Sequence, residues 1–279
     1  MALSIQSNAA ATTIRNQLNR TNDSLGVALE RLGTGFRINS AKDDAAGLQI
    51  ASRLSAQLVG QETAISNANN ANSMMQTAEG AFEEMTNIAY RMKELATQGA
   101  NGTNSATEYT ALDSEYQALA EELTSIMDNT SFGAGTNLLS AAGTFGAGAV
   151  TFQIGASSAE TLDVDISTEL GNVTTTIGTI GDLTSQANSS TAIDTLDTLL
   201  DDIGAARSSL GATMNRLDHT INNLSNMTEN TGAARDQLMD ADFAKETSNM
   251  TKQQLLLNSG ISVLSTANTT TQMVSQLLR

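Results

Sequence analysis

The chain has 279 residues with 30 acidic and 14 basic side chains, a net charge of −16 at neutral pH. It holds no cysteine, which excludes a disulfide framework and a thiolate metal site, and no proline or tryptophan; with aromatics at 3%, large anchors for a compact core are scarce. The acidic balance argues against nucleic acid as a partner, and no apolar run reaches the length of a membrane span.

The charge is not spread evenly. Between Lys93 and Arg207 there is no basic residue, while that stretch carries 16 acidic ones. The two flanks hold the remaining 14 acidic residues and all 14 basic ones, so they are neutral. Neutral, apolar-striped ends around a repelling middle suit a chain that assembles through its ends and shows its middle to water. Residues 1–20 lack the apolar core of a signal peptide, so an exported chain is expected to travel without a cleaved leader.

Taken in chain order, Leu18, Leu25 and Leu32 recur every seven residues, with Ile14 and Ala28 on the same stripe. Gly33-Thr34-Gly35 stops this first helix with a left-handed cap, and Ser40 with Asp43 reads as a capping box that starts the next. A long helix is expected over 45–98, with Met75, Ala78, Phe82, Met85, Ala89, Met92 and Ala96 on its stripe. At about 1.5 Å per residue such an element is a rod. A shorter helix over 108–128 carries Leu112, Tyr116, Leu119, Leu123 and Ile126.

The pattern then changes. Val150, Phe152 and Ile154 alternate, as do Leu162, Val164 and Ile166, so a hairpin region is expected over about 137–166. The Gly-, Ser- and Thr-rich stretch 171–191 reads as loop, within a short variable insert of about 166–191. Helical spacing returns over 192–230 through Leu196, Leu200, Ile203, Leu210, Met214, Leu217, Ile221 and Leu224. Arg207 interrupts this stripe as a register device or a snorkelling stem. After a weakly marked break near 236–242, Leu257, Ile261, Leu264, Ala267, Thr271, Val274 and Leu278 form a last stripe. The predicted class is mainly α: long antiparallel, coiled-coil-like helices, a small central β-hairpin region and paired terminal helices. One amphipathic helix of about 30 residues is marginal alone in water, so the ends need partners.

Three stretches carry a resemblance. Arg37-Ile38-Asn39-Ser40-Ala41-Lys42-Asp43-Asp44-Ala45-Ala46-Gly47, preceded by Glu30-Arg31-Leu32, is similar to the N-terminal signature of bacterial flagellins. Gln76-Thr77-Ala78-Glu79-Gly80-Ala81, Glu94-Leu95-Ala96 and Ala100 to Ser105 continue it. Asn215-Arg216-Leu217-Asp218-His219 to Leu224, Ala233-Ala234-Arg235 and Leu277-Leu278-Arg279 resemble the C-terminal region of that family. The chain departs from the family pattern at Asn268 to Gln272, where a proline is usual, and at Leu32 to Gly35. These departures suggest a divergent, lateral-type branch, and the short insert of about 166–191 implies no large outer domains.

The resemblance implies a structural subunit of the flagellar filament. Residues 1–40 with 237–279 would form the inner-tube terminal helices, and 41–236 the outer-tube rod. Implied partners are many copies of the same chain, an export chaperone on the C-terminal region, and cap and hook-junction proteins. The implied location is extracellular, after type III export. The expected polymerisation interface is Leu18, Leu25, Leu32, Leu257, Ile261, Leu264, Val274 and Leu278. The resemblance also implies contact with a host toll-like receptor through Arg91, Glu94, Leu95 and Glu115; packing on neighbouring subunits is the other reading of those residues.

No catalytic chemistry, metal or cofactor is expected. His219 is a lone histidine without a second ligand at helical spacing. Gly133-Ala134-Gly135 and Gly146-Ala147-Gly148 lack the Lys-Ser/Thr of a phosphate loop. Neighbouring acids such as Asp43-Asp44 and Asp201-Asp202 diverge by about 100° on a helix and do not converge on one ligand. The methionines read as core filler or as an adaptable binding surface. The resemblance to flagellins makes the hydroxyls over 184–191 candidates for O-glycosylation. The rival functions are a hook–filament junction protein, which shares the terminal helices, and a membrane-active helical effector, which would turn the same stripes to lipid.

Overall fold

The computed structural model describes residues 8–133 and 135–277. Six helices and four short strands follow in the order α1 (Ala9–Thr34), α2 (Ala45–Gly99), α3 (Ala106–Asn129), β1 (Ser131–Phe132), β2 (Thr136–Asn137), β3 (Val150–Gln153), β4 (Thr161–Val164), α4 (Ser167–Gly178), α5 (Gln186–Met239) and α6 (Phe243–Leu277). The chain divides into two compact units, residues 1–56 with 230–279 and residues 57–229.

The first unit is built on the pairing of α1 with α6. Along α1, Ala11, Ile14, Leu18, Thr21, Leu25, Ala28 and Leu32 are buried or half-buried, at alternating steps of three and four. Along α6 the matching set is Glu246, Met250, Gln253, Leu257, Gly260, Leu264 and Ala267. Contacts fix an antiparallel register: Asn8 Nδ2 donates to the Ala267 carbonyl at 3.1 Å, and Arg31 Nη1 lies 3.2 Å from Glu246 Oε1. Between these points Leu18 crosses α6 at Gly260, where an added Cβ would sit 2.8 Å from Leu18 Cδ2. The seam is therefore built for glycine at that crossing.

Both ends of α1 are capped by their own sequence. The Asn8 side chain accepts from the Ala11 amide, and Gly35 turns left-handed at φ 77° so that its N–H closes on Arg31. Beyond Gly35 the chain meets the α5–α6 junction. Arg37 N donates to the Met239 carbonyl, Ala241 N to that of Gly35, and Arg37 Nη2 to that of Leu238. This places the weakly marked break at Asp240–Asp242. The start of α2 differs from the expected Ser40 box. Asp43 accepts from the Asn39 and Ser40 amides, which makes a turn, and Asp44 caps the helix by accepting from Gly47 N at 2.8 Å.

The second unit rests on two heptad seams. Ala64, Ala68, Ala71, Met75, Ala78, Phe82, Met85, Ala89, Met92 and Ala96 of α2 are all buried. So are Ser189, Ala192, Leu196, Leu199, Ile203, Ala206, Leu210, Thr213, Leu217 and Leu224 of α5. Ions and amides flank the seam: Asn72 Nδ2 donates to Asp218, Arg207 Nη2 lies 2.8 Å from Glu79, and Lys93 pairs with Asp197. These pairs advance in opposite directions along the two helices, so the segments run antiparallel. Arg207 thus serves as a register device, with its head on Glu79 beside the seam.

Helix α3 covers one side through Tyr116, Leu123 and Met127. Hairpin β3–β4 pairs Val150 with Val164 and Phe152 with Leu162, turning Leu162, Val164 and Ile166 inward. The hairpin is tied to α2 where Asn67 Nδ2 donates to the Gln153 carbonyl and where Ala156 lies over Gly60. The expected loop over 171–191 is corrected: Ser167–Gly178 is helix α4, and α5 begins at Gln186. Burial of Leu170 and Val173 outweighs the poor helix propensity of Gly171 and Thr174–Thr176. Thr184, Ser185 and Asn188 form the side-chain network that starts α5 rather than a free loop.

Candidate assembly surface

The pairing of α1 with α6 uses one face of each helix and leaves the others bare. Among the described residues, twelve large apolar side chains are exposed, and ten of them lie in the first unit. On α1 these are Val27 and Leu29; on α6 they are Phe243, Leu255, Leu256, Ile261, Val263 and Met273. Leu255 is 65% exposed and lies opposite the seam, since successive residues step about 100° around a helix. Leu256 and Val263, seven residues apart, flank the seam on one side, and Ile261 flanks it on the other. Helix α6 is therefore apolar around most of its circumference. It carries no charged residue from Gln253 to Leu277. Apolar side chains on those outer faces gain when they are covered.

This arrangement changes the roles of the expected interface residues. Leu18, Leu25, Leu32, Leu257 and Leu264 are half-buried in the α1–α6 seam, so they hold the pair together within one chain. Ile261 is 53% exposed and remains available to a neighbour. Val274 is in α6 but its side chain is outside the described residues, as is Leu278. Periodicity missed Val27, Leu29, Leu255, Leu256 and Val263 because they lie off the stripe. The signal for them is the charge-free run of α6, which has apolar residues on and off the seam.

Polar anchors secure the first unit below this surface. Glu246, only 6% exposed, accepts from Arg31 and from Asn249 Nδ2 at 3.2 Å. A shallow groove on α6, lined by Ala244, Thr247, Thr251, Lys252, Leu255 and Leu256, opens on the face away from α1.

A second cluster lies on α2 and α3. Arg91 Nη1 contacts Glu94 Oε2 at 2.6 Å, and its Nε and Nη2 both donate to Glu115 Oε1, at 3.0 and 2.7 Å. Hydrogen bonds from Arg91 to Glu115 and Glu94 hold the guanidinium more firmly protonated than usual. Arg91, Glu94 and Glu115 are exposed, but Leu95 is 2% exposed and belongs to the core of the second unit. Leu95 positions the helix and offers no surface. His219 is exposed on α5. Among the described residues no group of three His, Cys, Asp or Glu side chains could hold a metal ion, and no helix is long and apolar enough to cross a membrane.

Residues 5–144 match the model of the bacterial flagellin N-terminal helical region, and residues 193–278 match that of the bacterial flagellin C-terminal helical region. The chain belongs to the bacterial flagellin family. That family is one of structural proteins rather than enzymes. The chain is 49% identical over 168 residues to polar flagellin F of Vibrio parahaemolyticus, a match covering 60% of this chain and 43% of the relative. It is 48% identical over 166 residues to the B-type flagellin of Pseudomonas aeruginosa, covering 60% of this chain and 33% of that one. The matched stretch thus spans less than half the length of these relatives. Among solved structures, a Bacillus cereus flagellin aligns at a TM-score of 0.51 with 34% identity, covering 61% of this chain and 94% of that one. A flagellar hook-associated protein from Vibrio parahaemolyticus shares the fold at a TM-score of 0.57 and 15% identity, covering 71% of this chain and 100% of that chain.

For a flagellin, the geometry sorts the surfaces simply. The second unit has an apolar core, and most of its acidic side chains are exposed, with Glu79, Asp113 and Asp202 among the half-buried ones. The first unit keeps apolar side chains that no described residue covers.

Proposed function

We propose that this flagellin is a structural subunit of the bacterial flagellar filament, which self-assembles into a helical tube for motility. One observation carries the reading: α6 is charge-free from Gln253 to Leu277 and exposes Leu255, Leu256, Ile261 and Val263 on faces that α1 does not cover. Each such side chain, once covered, contributes up to about 1.5–3 kcal/mol. Identical copies stacked head to tail would supply that cover repeatedly, since such contacts extend without closing. In this reading residues 1–40 with 237–279 make the inner tube and 41–236 the outer rod. The subunit acts outside the cell. Its further partners are an export chaperone on the C-terminal region, the distal cap and the hook-junction proteins.

Electron microscopy and pelleting of the purified chain, as its concentration and the ionic strength rise, test the proposal. Growing tubes are the expected result. A monodisperse chain at high concentration under all these conditions would refute it.

The exposed Arg91–Glu94–Glu115 cluster supports a role as a contact for a host toll-like receptor, with Leu95 acting from beneath. Monomer should signal in a receptor reporter assay, and Arg91→Ala should shift the dose response to higher concentration. A flat response to the unmodified chain at high dose excludes the contact.

A further inference from the structure

The chain has eleven methionines, and their placement is uneven. Met74, Met75, Met85, Met92 and Met127 are buried, and Met214, Met227, Met239 and Met250 are half-buried. Among the described residues, Met273 is the one exposed methionine, at 56%. It lies within the charge-free run of α6, which the assembled state must cover. Its thioether is thus open to oxidants in the free chain and destined for an apolar contact in the polymer.

We propose that Met273 is an oxidation site at which a peroxide blocks assembly of the free subunit. The inference rests on the filament reading, because it needs α6 to become interior. A sulfur lone pair of Met273 attacks one oxygen of hydrogen peroxide. The S–O bond forms as the O–O bond breaks, and the released hydroxide takes the proton of the new S–OH group and leaves as water. The thioether is oxidised to a sulfoxide and the peroxide is reduced. The product is polar and a strong hydrogen-bond acceptor, so covering it in apolar surroundings without a donor is costly. Once copies have stacked, the same sulfur is shielded, so the polymer resists the oxidant that disables the monomer.

The test treats the purified full chain with hydrogen peroxide, before or after assembly, and separates polymer from free chain by centrifugation. Peptide mass analysis then reads the sulfoxide at each methionine. Met273 should oxidise first in the free chain, and its sulfoxide should be enriched in the unassembled fraction. The concentration needed for assembly should rise roughly tenfold or more, in proportion to that modification. Treatment with methionine sulfoxide reductase should restore it. In the Met273→Leu variant, the same peroxide dose should change assembly little relative to that variant's own untreated sample. Equal sulfoxide at Met273 in polymer and free fractions would overturn the proposal, as would earlier oxidation of a buried methionine. Failure of the untreated chain to assemble would instead count against the filament reading itself.

Discussion

Leu255→Asp separates folding from assembly more cleanly than any substitution in the α1–α6 seam. Leu255 is 65% exposed, so the lone chain loses little when it is replaced. A surface change of this kind is within about 0.5 kcal/mol, and Lys252 on the preceding turn can pair weakly with the new carboxylate. The assembled state is different. Covering the exposed two thirds of a leucine is worth about 1–2 kcal/mol, taken as that share of full burial. Burying an unpaired carboxylate in its place costs several kcal/mol more. The loss per subunit is therefore about 3 kcal/mol or greater, which raises the assembly concentration by roughly two orders of magnitude. Pelleting across a concentration series measures this, and far-UV circular dichroism checks that helix content and melting are unchanged. Normal tubes at the unmodified concentration would show that this face of α6 stays in water, and the argument from its bare surface would fail.

Other outcomes follow from the same structure. Leu264→Asp places a charge in the seam, so it should lower the melting temperature of the first unit as well as stop assembly; assembly loss with an unchanged melt would mean the seam is not where Leu264 acts. Gly260→Val puts atoms onto Leu18, which already lies 2.8 Å from the ideal Cβ position, and should loosen the pair by about 1–3 kcal/mol, measured by hydrogen exchange on α1. Phe82→Ala, at the centre of the second unit, should cost about 3–5 kcal/mol in denaturant unfolding. The pH response has two sides. Burial and the nearby Asp113 raise the Tyr116 hydroxyl to about 12 in the folded chain, so its stabilising contribution is complete below pH 10 and disappears as the pH rises towards 12. Hydrogen bonds from Ser40 to Asp43, from Ser105 to Glu108, from Ser167 to Asp165 and from Thr184 to Asp182 lower those carboxylates. The unfolded chain then binds more protons, so their contribution is present above the ordinary carboxylate range and is lost as the pH falls through the lowered values. Thermal melts across pH check both signs.

The long helices were legible because a step alternating between three and four is a strong signal over fifty residues, and the antiparallel ion pairs confirm their register. Helix α4 was not legible. Gly171, the three threonines and Gly178 look like loop by propensity, and only the burial of Leu170 and Val173 in the core that α4 shares with α3 makes them helical. The interface residues show a different limit. A stripe such as Leu18, Leu25 and Leu32 reveals that a face needs cover, but not whether the cover comes from the same chain or another. In this flagellin the periodic face is used internally, between α1 and α6. What marks the surface proposed to meet other copies is departure from periodicity: Val27 and Leu29 outside the α1 stripe, and Leu255, Leu256 and Val263 outside that of α6, in a segment without charge. An amphipathic helix needs one partner. A helix with apolar residues around its circumference needs several, and among the described residues the chain provides only α1 for that role.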